Sequence, residues 1–195
     1  PNLWLIAGIK SPSHHAVGLM IPGVPIIGVG RNAEIGWGGT NMRAASSDLF
    51  DVSKISAVST RSETIKVRWW RDRTITIRET ALGPVISDAP LLNWGDKPPF
   101  ALRWIGHERG DEITAMLKAQ RARNWLEFRA AFETFAVSAQ NMVYADRAGN
   151  IGQAMATMLP IRPRRAPPDI ILDPADPDSQ WRKIATTSQL PFAYN

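Results

Sequence analysis

Glycine and proline recur so often in the first forty residues that a long helix does not fit between them. Short apolar runs lie between these breaks, from Leu3 to Ile9, from Ala16 to Met20 and from Pro25 to Val29, and Glu34 to Trp37 follows as a fourth. Such runs, bounded by glycine and proline, are typical of β-strands. We therefore predict that the chain begins as a sheet.

A regular alternation of apolar and polar residues predicts the clearest strand from Thr64 to Trp70. A second strand from Thr74 to Arg78 would pair with it across the turn Arg71–Arg73. Gly83-Pro84 should end this hairpin, and the proline-containing stretch from Ala89 to Phe100 is predicted to be a loop.

Helix is predicted only between Asp111 and Ala136. Asp111 can cap a short helix that ends near Gln120, and the segment Asn124–Glu127 has the form of a capping box with asparagine in first place. Four aromatic residues behind it recur at helical spacing, which indicates core packing: Trp125, Phe128, Phe132 and Phe135.

A second hairpin is predicted where a strand from Asn141 to Ala145 is followed by another from Ile151 to Met158. The turn between them, Asp146–Asn150, contains a glycine that can supply a positive φ. The following stretch from Pro160 to Asp178 is rich in proline and is expected to run irregularly over the surface; it carries Arg162, Arg164 and Arg165.

Composition excludes several classes of function. The 195 residues include no cysteine, which rules out disulfides, thiolate metal sites and a cysteine nucleophile. The three histidines are too few for a zinc site, and no run of about 18 apolar residues indicates a transmembrane helix. The net charge is +5, but the basic residues are scattered among acids, which argues against a nucleic-acid interface. Composition and motifs alone indicate an α+β domain.

Two segments of the sequence indicate a more specific function. The first comprises Pro22-Gly23-Val24-Pro25, Gly30-Arg31-Asn32, Ile35–Asn41 and Asp48-Leu49-Phe50; the second comprises Gln140–Asp146, Gly149–Gly152 and Pro160-Ile161-Arg162, and Gly83–Ile86 lies between them. In this order they resemble the penicillin acylase family, with its Pro-Gly-x-Pro turn, its Trp-Gly-x-Thr strand and its Asn-x-x-Tyr-Ala-Asp hairpin. The resemblance spreads over residues 1–195.

The resemblance implies an α+β fold that forms part of an N-terminal-nucleophile hydrolase αββα sandwich with mostly antiparallel sheets. Members of the family are cut from one precursor into two chains, and the cut exposes a serine at the start of the larger chain. That serine attacks an amide carbonyl, its own α-amine serves as base, and water later releases the acid. Residues 1–195 are accordingly expected to be an internal piece of the larger chain, without the nucleophile region and the C-terminal remainder.

The same resemblance assigns roles to particular residues. Asn41 matches the family position whose backbone N–H stabilises the oxyanion, and Asn141 matches the asparagine whose side-chain amide is the second donor. Arg162 matches an arginine near the nucleophile, where like charge would lower the pKa of the α-amine. Gly39 and Met42 flank the donor strand and are candidates to line the acyl pocket.

Asp48 matches an acidic family residue that helps to bind calcium, but Ala45 stands where several members have a companion aspartate. We therefore expect no cofactor. The expected partners are a small-molecule amide substrate and the remaining α- and β-chain segments of the precursor, with no nucleic acid and no membrane. The family also implies a periplasmic or secreted location, autoproteolytic processing and antibiotic metabolism.

Other functions stay open at this point. One is a catalytically silent relative that serves as a binding or structural protein, since the nucleophile is not among these residues. Another is a basic, tryptophan-rich β-domain that binds carbohydrate or nucleic acid. The acyl group is equally open, because penicillin, cephalosporin and acyl-homoserine lactone acylases share one machinery.

Overall fold

The computed structural model describes residues 3–163 and 171–195; Arg164 and Arg165 fall outside these ranges. The described residues form two α-helices, α1 (Glu112–Ala119) and α2 (Trp125–Ala131). They also form fourteen strands: β1 (Leu5–Ser11), β2 (His14–Met20), β3 (Ile27–Arg31), β4 (Ile35–Asn41), β5 (Ser47–Asp51), β6 (Ser59–Ile65), β7 (Arg73–Thr80), β8 (Gly83–Pro84), β9 (Phe100–Trp104), β10 (Gln140–Asp146), β11 (Ile151–Ala156), β12 (Leu159–Ile161), β13 (Lys183–Ala185) and β14 (Phe192–Tyr194).

The chain divides into two compact units. The first contains Pro1–Ala44, Glu108–Leu159 and Ile184–Asn195, and the second contains Ala45–His107 and Pro160–Lys183. Both predicted helices and the second predicted hairpin therefore belong to the first unit, whereas the first predicted hairpin belongs to the second.

The first unit is built on a seven-stranded antiparallel sheet with the strand order β1-β2-β3-β4-β10-β11-β14. Glycines allow β2 and β3 to lie close together, because a Cβ atom on Gly18 would stand 2.1 Å from the carbonyl oxygen of Val29. The four short strands predicted near the start of the chain are all present, and each differs from its predicted bounds by a few residues.

Helices α1 and α2 cover one face of this sheet. Asp111 caps α1 by accepting a hydrogen bond from the Thr114 N–H at 2.9 Å, and Asn124 caps α2 through the Glu127 N–H at 3.0 Å. The predicted aromatic stripe is buried in the core, where each such ring contributes about 1.5–3 kcal/mol; its members are Trp125, Phe128, Phe132 and Phe135. Gly152 leaves room for the Trp125 ring, since a Cβ there would stand 2.6 Å from it.

The opposite face of the seven-stranded sheet keeps its apolar side chains exposed. Val17, Val29, Val143 and Ile151 point to this side by strand alternation, and their exposures run from 37% to 62%. One helix layer and one sheet layer are thus present among the described residues of this unit, and the face that the helices do not cover carries these exposed apolar side chains. We call it the open face.

The turn between β10 and β11 is held by one carboxylate. Asp146 accepts hydrogen bonds from the N–H groups of Ala148 and Asn150, from the Asn150 side chain and from the Tyr144 hydroxyl, all at 2.9–3.0 Å. These bonds, with the Asn150 side chain first, hold the pKa of Asp146 below its usual range. Gly149 adopts φ +91° as predicted, and the hairpin follows the predicted bounds closely.

The second unit contains a β5–β9 pair and a three-stranded β6–β7–β8 sheet, with a small core of Val52, Val85 and Ala101. Strands β12 and β13 pair as a separate two-stranded sheet. The predicted loop from Ala89 to Phe100 is mostly irregular, but Pro90–Leu92 forms a 3₁₀ helix and Phe100 opens β9.

The predicted strand from Thr64 to Trp70 is wrong in its bounds. A hairpin forms here, but its first strand is β6, and residues 66–72 make the connection. Trp69 has φ 65° and is 86% exposed. Every residue of β6 is exposed, so no buried face selects between registers, and alternation therefore misplaces the strand.

Candidate active site

The candidate donors lie on two strands that pair directly. Strands β4 and β10 form an antiparallel ladder in which Asn41 stands opposite Gln140, and Asn141 stands opposite Thr40. Asn41 and Asn141 thus occupy adjacent register positions at one end of the ladder. The sheet of the first unit brings these two predicted site residues together.

The backbone N–H of Asn41 points away from β10. Hydrogen bonds along an antiparallel pair come from alternate residues, and the Met42 N–H already bonds the Ala139 carbonyl on the β10 side at 2.9 Å. On the other side, the pairing of β4 with β3 ends at Trp37. The Trp37 indole N–H donates to the Ile27 carbonyl of β3 at 3.1 Å. The Asn41 N–H therefore lies on a stretch of β4 beyond the end of the β3 pairing.

The side chain of Asn141 points to the open face. Its neighbours along the strand, Met142 and Tyr144, alternate with it, and Met142 is 2% exposed on the helix side. Asn141 itself is half-buried, and its Oδ1 accepts a hydrogen bond from Gln153 Nε2 at 3.2 Å. This leaves the NH₂ end of the carboxamide as the group available to a ligand over that face.

Gly39 and Met42 occupy different environments. Gly39 faces Met142 across the ladder, and a Cβ atom at Gly39 would stand 2.8 Å from the Met142 sulfur. This contact gives Gly39 a packing role on the helix side. Met42 is half-buried and continues β4 beyond Asn41. That Gly39 and Met42 line an acyl pocket stays a prediction.

Arg162 belongs to the second unit, where it forms an ion pair with Asp48. Its Nε and Nη2 both lie 2.9 Å from Asp48 Oδ2, and both side chains are 16% exposed. The Trp181 indole N–H donates to the same carboxylate oxygen, and Arg103 stacks on the Trp181 ring at 4.3 Å. Three donor groups from two side chains therefore share one carboxylate, whose charge compensates that of Arg162.

Several motif residues of the sequence serve the fold. Asn32 of the Gly-x-Asn turn accepts hydrogen bonds from the Glu34 and Ile35 N–H groups at 2.8 Å. Its NH₂ group donates to the carbonyls of Gln120 and Ala122, which ties the turn to the end of α1. These contacts explain why an asparagine stands at this turn.

Sequence reasoning missed Gln153 and Trp181. The first could have been found, because the turn Asp146–Asn150 fixes the register of the hairpin and thereby places Gln153 diagonally from Asn141. Trp181 carries no such signal, since its bond to Asp48 joins residues far apart in sequence.

A sequence model of the penicillin amidase family matches residues 1–195. The chain belongs to the penicillin amidase family. The suspected resemblance is thereby confirmed, and with it the broad assignment to a family of acylases.

Curated relatives of this penicillin amidase family member include acyl-homoserine lactone acylases QuiP from Pseudomonas. Two strains of Pseudomonas fluorescens carry relatives that are 26% identical over 176 residues and 27% identical over 173 residues. A relative from Pseudomonas syringae is 26% identical over 184 residues. These alignments cover 82–83% of this chain but only 21% of each relative, so the chain spans about a fifth of their length.

The fold of this penicillin amidase family member is similar to that of the thermostable penicillin G acylase from Alcaligenes faecalis. The TM-score is 0.82 at 28% identity, over 99% of this chain and 36% of the other. The predicted α+β fold with mostly antiparallel sheets is thereby confirmed. Within residues 3–163 and 171–195, no helix is long and apolar enough to cross a membrane.

Proposed function

We propose that the protein hydrolyses an amide bond, with an N-terminal serine from another segment of the precursor as nucleophile. The serine oxygen bonds to the acyl carbon, its proton passes to the serine α-amine, and the carbonyl oxygen becomes an oxyanion. Collapse of this intermediate breaks the C–N bond, and the amine leaves with a proton. Water then attacks the ester and releases the acid.

In this proposal the present chain supplies the oxyanion hole. The supporting observation is the β4–β10 register, which sets the Asn41 N–H and the Asn141 side chain one position apart. The Asn41 N–H lies beyond the end of the β3 pairing, and the NH₂ end of Asn141 is left available by Gln153. Both are neutral donors that do not titrate, so they can act at every working pH.

The test is the Asn141→Ala variant of the full-length protein. Removal of one oxyanion donor typically lowers kcat about 100- to 1,000-fold, so we expect that loss with an unchanged melting temperature. An N-acyl-homoserine lactone and penicillin G are suitable substrates, since relatives are named for both. Gln140→Ala is the matched control, because Gln140 lies beside Asn141 on the opposite face. Equal kcat in wild type and Asn141→Ala would contradict the assignment of this donor.

A catalytically silent relative is the alternative. It would hydrolyse neither substrate as wild type, and a sulfonyl fluoride, which sulfonylates a reactive serine with loss of fluoride, would leave its mass unchanged. The proposal predicts turnover and one adduct on the N-terminal serine. The other alternative is a basic, tryptophan-rich β-domain that binds carbohydrate or nucleic acid. It has no comparable support, because the described site offers amide donors and no basic stripe.

We further propose that Arg162 and Trp181 take the place of a cation at Asp48. The carboxylate oxygen Oδ2 already has three donor groups, and the described residues contain no group of three or more acidic, histidine or cysteine side chains that could hold a metal. We expect EDTA to leave kcat and the melting temperature of the full-length protein unchanged. A loss that added calcium restores would overturn this. The role of Arg162 near the nucleophile stays a prediction.

The partners in this proposal are the amide substrate and the remaining α- and β-chain segments of the precursor. The open face supports the second of these, since its exposed valines and Ile151 form the kind of apolar surface that another layer buries. Export to the periplasm and autoproteolytic processing belong to the same proposal. Co-purification of the precursor's other segments with this chain after processing would test it.

A further inference from the structure

Gln153 is placed to control the orientation of Asn141. It lies on β11, opposite Val143, and so stands diagonally from Asn141 on the open face. Diagonal neighbours on paired strands lie within reach of long side chains. Gln153 Nε2 donates to Asn141 Oδ1 at 3.2 Å.

A carboxamide presents a donor at one end and an acceptor at the other, and a half-turn about its last bond exchanges them. In Asn141 the wrong orientation would place Oδ1 against the developing negative charge. A donor that binds Oδ1 prevents this exchange. We propose that Gln153 is a positioning residue that holds the NH₂ end of Asn141 toward the acyl carbonyl, an inference that rests on the proposed function.

The same sheet contains a matched pair on its opposite face. Gln140 Nε2 donates to Asn41 Oδ1 at 2.8 Å, and Ser138 also accepts from it. Both pairs are glutamine-to-asparagine contacts, one between β11 and β10 and the other between β10 and β4. They differ in the part of the asparagine that the proposed reaction uses, which is the side chain in Asn141 and the backbone N–H in Asn41. A change of side-chain orientation should therefore matter in the first pair only.

The surroundings of Gln153 make the inference testable by charge. Its neighbours on β10, β11 and β14 that share the open face carry no titratable side chain in the described part of the chain; they are Asn141, Val143, Ala145, Ile151, Met155 and Ala193. Among the described residues, a carboxyl introduced at residue 153 is thus the titrating side chain next to Asn141 on this face, and the comparison with wild type at each pH accounts for the serine α-amine. As a carboxylate it can only accept, so it binds the Asn141 NH₂ and repels Oδ1. As a neutral acid it can donate to Oδ1 as Gln153 does.

The experiment compares Gln153→Glu with Gln140→Glu in the full-length enzyme. At pH 7–8 we expect Gln153→Glu to lower kcat about 100-fold, close to Asn141→Ala, with KM and melting temperature little changed. The ratio of its kcat to that of wild type should rise as the pH falls through the carboxyl pKa, about 4.3 in an unperturbed glutamate. Gln140→Glu should show neither effect. Gln153→Met, which removes the donor without adding charge, should lower kcat about tenfold.

Three results would overturn the inference. One is full activity of Gln153→Glu and Gln153→Met while Asn141→Ala is impaired, which leaves the proposed function standing. Another is an equal loss in Gln153→Glu and Gln140→Glu with no recovery at low pH, which indicates a structural effect. The third is an unimpaired Asn141→Ala, in which case the proposed function fails as well.

Discussion

The two hairpins of this chain differ in what lies on their faces. Strands β10 and β11 bury Met142, Tyr144 and Ala154 against the helices. In the β6–β7 hairpin, no side chain of β6 or of the connection 66–72 is buried. The β10–β11 hairpin matches its sequence pattern, whereas the first strand of the β6–β7 hairpin is displaced by several residues from its predicted bounds. A buried face fixes the register of a strand, and alternation alone does not.

The largest expected effect is in the core beneath β10. Phe128 is fully buried and packs edge-on against Phe132 at a ring separation of 5.1 Å. Phe128→Ala should lower the free energy of unfolding of the full-length protein by about 3–5 kcal/mol. Urea unfolding followed by tryptophan fluorescence would measure it. A loss below about 1 kcal/mol would mean that this face does not organise the sheet.

A smaller and pH-dependent effect is expected at the β10–β11 turn. Hydrogen bonds lower the pKa of Asp146 in the folded state. The Asp146 carboxylate therefore stabilises the fold fully above its unfolded pKa of about 3.9, and this stabilisation is lost as the pH falls through the lower pKa of the folded state. Asp146→Asn should therefore be less stable than wild type at pH 7, and the gap in melting temperature should close toward pH 3. A gap independent of pH would refute this account of the turn.

The smallest effect is expected at the tip of the exposed hairpin. Trp69 is 86% exposed, and the Arg68 guanidinium lies 5.0 Å from its ring centre. Trp69→Ala should change the free energy of unfolding by no more than about 0.5 kcal/mol. Phe128→Ala, measured under identical conditions, gives the comparison between the two hairpins. A large loss of unfolding free energy in Trp69→Ala would contradict the difference proposed between them.

Much of the fold followed from local sequence rules. The caps Asp111 and Asn124, the buried aromatic stripe and the glycine-containing turn at 146–150 all act over a few residues, and each was predicted correctly. The division into two units was not predicted. It depends on segments 45–107 and 160–183 meeting across a long sequence separation, and no local pattern encodes that.

The candidate site was less predictable for the same reason. Family resemblance singled out Asn41 and Asn141, but their adjacency comes from the pairing of β4 with β10, a hundred residues apart in sequence. The bonds from Arg162 and Trp181 to the carboxylate of Asp48 were not predicted from the sequence. Contacts of this kind depend on tertiary structure.

The central claim is that one oxyanion is held by the backbone N–H of Asn41 and the side-chain NH₂ of Asn141. The most direct test is a crystal structure of the full-length enzyme with a phosphonate bonded to its nucleophile, since the phosphonyl oxygen stands for the oxyanion. We predict that this oxygen lies about 2.7–3.1 Å from Asn41 N and from Asn141 Nδ2. An oxygen bound by other donors, with these two nitrogen atoms directed at separate pockets, would contradict the account.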